Sequence, residues 1–482
     1  MAFTLTRRHF AAGTALLPIA CTGNGKTIIG DTGPVHQPAL AAPDIDNPVV
    51  KNRADAQVFR HTDGWYYLTG SVPEYDRLVL RRARTLEGLH DAEERVLWRH
   101  AASGPMSGFI WAPELHLVDG HWTMYFAAGP SGGGEDVFRI RTYAVICDGP
   151  DPMTGNWSVL GEFKAPWDSF NLDSTSFVHR GIRYFCWAQR EPGIETNSNL
   201  YLAPMASALT LAAKPVRLTV PTLPWEIRGY KVNEAPSFLE HQGRVFISYS
   251  ASATDARYCL GLLWAKADAN LMDAASWTKS PEPVFVTCPE TGVYGPGHNS
   301  FTTDLEGHTM LVYHGRDYEK IEGDPLFDPN RHTRVQRLYF KPDGMPDFGV
   351  PVGNGPMPER FLSANGNDAY LAHQSTDLIV GAAPLPNTQF RSLDAGDGTV
   401  HLSPILLRDH VLAADVSGAV KLVPLASVAA NPAAGRFRRV AGSGRNAVRF
   451  VCEGHEGLAL AAGKTGVTLA AASSPAAQWQ AD

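Results

Sequence analysis

One pattern recurs five times along the chain: a short apolar strand, a turn containing glycine, and a second strand rich in Tyr, Phe or Trp. It occupies residues 55–70, 114–128, 173–188, 234–250 and 298–315, and each copy opens on an ionisable residue: Asp55, Glu114, Asp173, Glu234 and His298. The starts are 59, 59, 61 and 64 residues apart, room for a four-stranded blade and its loops. Such a hairpin cannot bury both faces alone, so like units pack face to face around an axis. The expected fold is all-β, a five-bladed β-propeller. In a propeller the first strand of each blade lines the central channel, so residues at one register in every first strand point to one place.

That geometry predicts convergence of Asp55, Glu114, Asp173, Glu234 and His298. Any single acid can merely cap a strand start, but five ionisable groups at matched register argue for a shared site. Carboxyl groups held together raise one another's proton affinity and cost stability unless partnered. Glycoside hydrolysis uses such a cluster, with one carboxyl kept protonated as acid and another ionised to activate water.

Composition narrows the alternatives. Hydrophobic residues make up 44% and charged residues 19%, the balance of a globular protein. A formal net charge of −7 offers no basic surface to nucleic acid or acidic lipid, and does not repel a neutral polysaccharide. At 482 residues the chain is too long for one ordinary core. Three segments are expected: a leader at 1–42, a catalytic propeller at 43–356 and a second domain at 357–482. In the leader, Arg7-Arg8 precedes an apolar run from Ala11 to Ala20 that is too short to span a membrane. The pair resembles a twin-arginine export signal, with cleavage near Ala39-Leu40-Ala41; alternatively, Pro18-Ile19-Ala20-Cys21 is an imperfect lipobox. An exported, periplasmic or extracellular monomer with no membrane span is expected. Beyond Cys21, five dispersed cysteines with no CxxC pair read as buried free thiols.

From Asn47 to Pro356 the chain resembles glycoside hydrolase family 43. The resemblance rests on Arg53-Ala54-Asp55, 69–78 (TGSVPEYDRL), 110–117 (IWAPELHL), 232–237 (VNEAPS), 249–256 (YSASATDA), 294–302 (YGPGHNSFT) and 328–337 (DPNRHTRVQR). Within the family the chain is similar to exo-acting α-L-arabinofuranosidases that work on arabinan. The resemblance implies that Asp55 is the general base holding the attacking water and Glu234 the general acid. Asp173 would orient Glu234 and keep its pKa raised. Inversion at the anomeric carbon is implied, with base and acid about 6.5–9.5 Å apart. Arg316 would steady the base and the sugar hydroxyls, and Trp111, Glu114 and Phe109 would form the pocket wall. For His298 two readings stand: a hydrogen-bonded channel histidine that meets substrate, or a neighbour of a structural calcium or sodium ion on the axis. No cofactor is required.

The sequence departs from the family pattern twice. Ala56 replaces the usual proline after the base, and Ala235 the usual glycine after the acid; Ala235 would strain the backbone if its φ is positive. Trp65, Trp122, Phe185 and Phe246 fall in second strands and read as blade core. Trp167 and Phe170, like Trp111 and Phe109, read equally as sugar platforms or packing, and Asn197-Ser198-Asn199 as a substrate contact or a turn.

After a Gly/Pro linker at 351–358, three related stretches follow: 368–380 with 388–390, 410–424 with 435–437, and 456–471 with 477–479. A three-fold repeat of short strands predicts a β-trefoil, which weakly resembles the arabinofuranose-binding trefoil of carbohydrate-binding family 42. Only the first repeat keeps that family's sugar-holding trio, as Tyr370, His373 and Asp377. One sugar pocket or a purely structural trefoil are both open. The expected activity is release of terminal α-L-arabinofuranosyl residues from arabinan. The alternatives are β-xylosidase or galactofuranosidase action on the same scaffold, or a non-catalytic sugar-binding protein.

Overall fold

The computed structural model describes residues 45–131, 136–364, 369–444, 446–464 and 466–482. The leader, with Arg7, Arg8 and Cys21, lies outside the described residues.

The five expected blades are present. Their inner strands are Ala54–Arg60, Gly108–Val118, Asn171–His179, Asn233–His241 and Tyr294–Thr303. Each pairs antiparallel with the second strand that the repeat foretells: Tyr66–Ser71, His121–Gly129, Ile182–Gln189, Arg244–Ala251 and Thr309–Arg316. The inner strands touch one another in ring order, the fifth against the first. Blade V has only three strands of its own. Its outer edge is completed from the other end of the domain, where Val50 bridges to Thr333 and Asn47 exchanges two 2.8 Å hydrogen bonds with the backbone of Val335. Sealing the ring this way leaves fewer unpaired edge groups.

Every inner strand carries a β-bulge at the same place. The pairing slips between Ala54 and Gln57, Trp111 and Glu114, Leu172 and Thr175, Glu234 and Ser237, and Gly297 and Ser300. In each bulge one residue has positive φ: Asp55 (55°), Ala112 (46°), Asp173 (50°), Ala235 (52°) and His298 (44°). A bulge bends the strand and re-aims its side chains. The five-fold repetition therefore holds, with a corrected register. Asp55, Asp173 and His298 are equivalent, whereas Glu234 stands one residue before its bulge residue and Glu114 two after.

Trp122, Phe185 and Phe246 are buried in the blade core as expected. Trp65 lies under the guanidinium groups of Arg84 and Arg82. Trp167 packs against Tyr201, and Phe170 belongs to the largest apolar cluster. Cys147, Cys186, Cys259, Cys288 and Cys452 are free and buried.

The C-terminal region is a closed barrel of six strands. Glu359–Ser363, Gln389–Gly396, Thr399–Pro404, Phe437–Ala441, Ala447–Cys452 and Trp479–Ala481 pair in that order, and the last returns to the first. Each repeat adds one hairpin: Tyr370–Gln374 with Asp377–Gly381, His410–Ala414 with Val420–Pro424, and Leu458–Ala462 with Val467–Ala471. The repeated aromatics Phe390, Phe437 and Trp479 fill the barrel core and are fully buried. This is the three-fold construction read from the sequence.

Tyr370, His373 and Asp377 are spread over one hairpin. Tyr370 pairs with Gly381 at one end of its hairpin, and Asp377 with Gln374 at the other. Tyr370 and His373, three residues apart on one strand, face opposite sides. His373 is 2% exposed and its Nδ1 lies 2.9 Å from the carbonyl of Ser375. The Arg360 guanidinium covers the Tyr370 ring at 3.6 Å.

Residues 351–358 are a packed connection instead of a loose linker. Gly355–Pro356 pairs with Asp46–Asn47, and a Cβ on Gly353 would lie 2.1 Å from the carbonyl of Thr291. Asp482 ties barrel to blade V: Arg337 Nη1 reaches its Oδ1 at 2.9 Å, Tyr339 donates to its carbonyl at 3.1 Å, and Arg360 N donates to the same carbonyl at 2.8 Å.

Candidate active site

The bulges aim Asp55, Asp173 and His298 inward, and the pleat that brings Glu234 into the first bulge contact of blade IV places it beside them. His298 Nδ1 lies 3.4 Å from Asp55 Oδ1 and 3.7 Å from Asp173 Oδ2. Asp55 is held from several sides. Ser71 donates to its Oδ2 at 2.6 Å, Arg331 Nη1 to its Oδ1 at 3.2 Å, and its own N–H donates to His314 Nδ1 at 3.1 Å. Tyr258 donates to Glu234 Oε1 at 2.7 Å. Glu114 is buried in the same channel and paired with His116 at 2.9 Å.

The carboxyl groups divide in proton affinity. Burial alone would raise Asp55, but Arg331, His298 and His314 outweigh it and hold it well below the usual carboxylate range. Glu234 is pushed up to about 7, first by removal from water and then by the Asp55 charge, against the pull of Tyr258 and Arg331. Asp173 is raised as well, by burial and then by Glu234 and Asp55. Asp173 and Glu234 therefore titrate as a pair. Burial pushes His298 below its ordinary value and His314 down to about 3. One ionised carboxylate thus faces a second carboxyl that keeps its proton near neutrality, the division that acid–base hydrolysis requires.

The arginine on Asp55 is Arg331, not Arg316 as the resemblance implied. Arg316 is spent on a loop: it meets Asp328 at 3.0 Å and donates to the carbonyls of Thr254 and Pro325, each at 2.7 Å. That loop returns the chain to the site, because Arg331 follows it directly and also binds the Tyr75 hydroxyl at 2.8 Å. Trp111 is buried at the wall, edge-on to Tyr75 and Phe109 with ring centres 5.5 and 5.2 Å away. Its indole N–H has no partner among the described residues. Ser198 and Asn199 are buried, and Ser198 exchanges hydrogen bonds with Asn233 beside Glu234, so this stretch braces the acid's strand.

Sequence reasoning gave no role to Ser71, Tyr75, His314, Arg331 or Tyr258. Ser71, Tyr75 and Arg331 stand inside quoted motifs and His314 inside the fifth repeat; Tyr258 lies two residues past the end of 249–256.

The surroundings of His298 do not fit a hard cation. Asp55 is already engaged by Ser71 and the Arg331 guanidinium, whose charge opposes a second cation, and Glu114 is engaged by His116. Elsewhere, Asp304, Glu306 and His308 lie within 4.8 Å of one another, but Arg337 occupies His308 Nδ1 at 2.7 Å.

The family model for glycosyl hydrolases family 43 matches residues 45–346. The chain is 48% identical over 405 residues to the extracellular exo-α-(1→5)-L-arabinofuranosidase of Streptomyces avermitilis, covering 83% of this chain and 82% of that protein. It is 49% identical over 369 residues to α-L-arabinofuranosidase 43 of Humicola insolens, covering 74% and 76%. The crystal structure of an α-L-arabinofuranosidase from Lactobacillus brevis superposes with a TM-score of 0.63 at 48% identity, over 64% of this chain and 98% of that one. With the blades, the clustered carboxyl groups and these matches in agreement, the chain belongs to glycosyl hydrolases family 43.

Proposed function

We propose that this glycoside hydrolase removes terminal α-L-arabinofuranosyl residues from arabinan or arabino-oligosaccharides with inversion. Asp55 acts as general base, Glu234 as general acid, and Asp173 holds Glu234 in place and in its protonated state. The observation that carries the assignment is the opposed proton affinity of Asp55 and Glu234 across one channel. Arabinofuranosidase activity in two relatives near half identity supports the choice of sugar.

In this reading the Asp55 carboxylate takes a proton from a water molecule as that water attacks the anomeric carbon. Glu234 gives its proton to the departing glycosidic oxygen. Arg331, Ser71 and His314 keep Asp55 ionised and fixed, and Trp111 with Phe109 walls the sugar. Only carboxyl chemistry is used, and no step passes through a metal.

Residues 43–356 form the catalytic unit and 357–482 a brace, since the side chains expected to hold sugar in the barrel are buried, stacked or apart. Arg7-Arg8 and the apolar run after it support export, as does the word extracellular in the name of the Streptomyces avermitilis relative. No helix among the described residues is long and apolar enough to cross a membrane.

Early-time NMR of the sugar released from an aryl α-L-arabinofuranoside tests the mechanism. The first product should have inverted configuration, and Asp55→Asn should be nearly inactive. Retained configuration would remove Asp55 from the base role. Faster release from the xyloside or galactofuranoside would overturn the choice of sugar.

A further inference from the structure

A carboxylic acid has two oxygens, and a general acid works only if its proton sits on the one facing the leaving group. In Glu234 the oxygens are distinguished by a neighbour. Tyr258, fully buried just before the third strand of blade IV (Cys259–Lys266), donates its hydroxyl to Oε1 at 2.7 Å. Ser250, on the adjacent strand of the same blade, accepts the backbone N–H of His298 at 2.7 Å. The phenol hydrogen of Tyr258 thus points to Oε1. An oxygen that accepts this bond plays the carbonyl part, which leaves Oε2 to carry the proton.

The ring reaches this place because residue 297 lacks a side chain. A Cβ on Gly297 would lie 2.2 Å from Tyr258 Cδ1 and Cε1, far inside any contact distance. On another side the ring lies parallel to His314, with centres 5.7 Å apart. Glycine at 297, in the run before His298, thus serves a tyrosine from the neighbouring blade.

We propose that Tyr258 is a positioning residue that assigns the transferable proton of Glu234 to Oε2, and that Gly297 exists to admit its ring. When Glu234 delivers its proton, the bond from Tyr258 becomes charge-assisted and strengthens. The interaction is then tighter as the leaving group departs than before it, which is the kind that raises kcat. The inference rests on Glu234 being the general acid.

The groups acting on Glu234 are Asp55 from blade I and Arg331 from blade V, with Tyr258 from its own blade, while Glu234 in turn raises Asp173 of blade III. Tyr258 feels Glu234 and Asp173. Tyr258→Phe removes one donor to the ionised form and leaves those charges in place. The basic limb of kcat/KM should therefore move to higher pH. Turnover of an arabino-oligosaccharide should fall about 10- to 100-fold, and that of an aryl arabinofuranoside with an activated leaving group much less. Gly297→Ala, which crowds the same ring, should reproduce both effects, and thermal melting of each variant separates them from misfolding. An unmoved basic limb with equal losses on both substrates in well-folded Tyr258→Phe would overturn the inference. Glu234→Gln measured alongside separates the two levels. Equal losses there on both substrates would remove Glu234 from the acid role and Tyr258 with it. A loss confined to the poor leaving group, with Tyr258→Phe showing no shift, would sink only the role of Tyr258.

Discussion

Ser71 Oγ stands 2.6 Å from Asp55 Oδ2 while accepting the N–H of Ala112 at 2.8 Å, so one hydroxyl joins the carboxylate of blade I to the bulge of blade II. The base is thus fixed by a neighbouring blade as well as by its own strand. The same habit recurs around the channel: Ser250 of blade IV holds the N–H of His298 in blade V, and His314 of blade V takes that of Asp55 in blade I. Side-chain geometry at the site is a property of the closed ring.

Arg331 lowers both Asp55 and Glu234, so its removal should slide the whole pH–rate bell. Arg331→Met raises the pKa of the base and of the acid together. Both limbs should move to higher pH, and kcat near neutrality should drop roughly 100-fold, the worth of about 3 kcal/mol in a charged hydrogen bond. Arg316→Ala should instead lower the melting temperature, because that side chain anchors a loop, and should leave the two limbs unmoved. Kinetic profiles of both variants between acid and alkaline limits decide between the arginines.

Asp173 is expected to bear chiefly on the basic limb. Glu234 and Asp173 titrate as a coupled pair in which the Glu234 charge raises Asp173; in the proposed role the Asp173 charge acts back on the acid, so Asp173→Asn should lower the pKa of Glu234. The acid then loses its proton earlier as pH rises, and the basic limb should move to lower pH, opposite to the shift expected for Tyr258→Phe. A profile identical to that of the unaltered enzyme would leave Asp173 with a purely positional role.

Ala235 has φ of 52°, so the methyl that replaces the family's usual glycine does sit on a left-handed backbone. Holding a non-glycine residue there costs about 1 kcal/mol. Ala235→Gly relieves it at a similar entropic cost, so stability should stay within about 1 kcal/mol of the unaltered protein. Ala235→Val, with a branched Cβ in the same conformation, should lose more than about 2 kcal/mol. Urea unfolding of the three proteins should give the order glycine at or above alanine, then valine clearly below.

The barrel should behave as a brace. Arg337→Ala breaks the tie between blade V and Asp482, and should lower the melting temperature while reducing turnover of small and polymeric substrates in equal proportion. His373→Ala should also destabilise, by roughly 2 kcal/mol or more for a buried side chain, and leave affinity for insoluble arabinan unchanged. Pull-down on arabinan together with calorimetry checks both. Selective loss of polymer binding in folded His373→Ala would restore a sugar pocket to the first repeat.

The repeat was legible because each blade buries the same apolar pattern, and a period survives wherever packing demands it. Register was not, because a bulge adds a residue that counting along a strand does not reveal; Glu114 and Glu234 were misaligned for that reason. Asp55 and Asp173 both face His298 in the channel, and Glu234 feels the Asp55 charge there. The arginine was missed because a guanidinium on a loop reaches its partner through a path that spacing does not encode, and Arg316 lies in the more regular strand. Tyr370 and His373 looked like a binding pair by type, yet their odd separation on one strand already places them on opposite faces. Tyr258 carried no signal of its own, since its place depends on the missing side chain at Gly297.

Ala112 and Ala235 keep the left-handed kink although neither brings a reactive group to it. The kink is therefore a socket built into the architecture five times over, filled by Asp55, Asp173 and His298 and left blank at the other two. Chemistry on such a frame can be rewritten by changing the occupant of a socket without redrawing the backbone that presents it. Residues 112 and 235 are the vacant addresses.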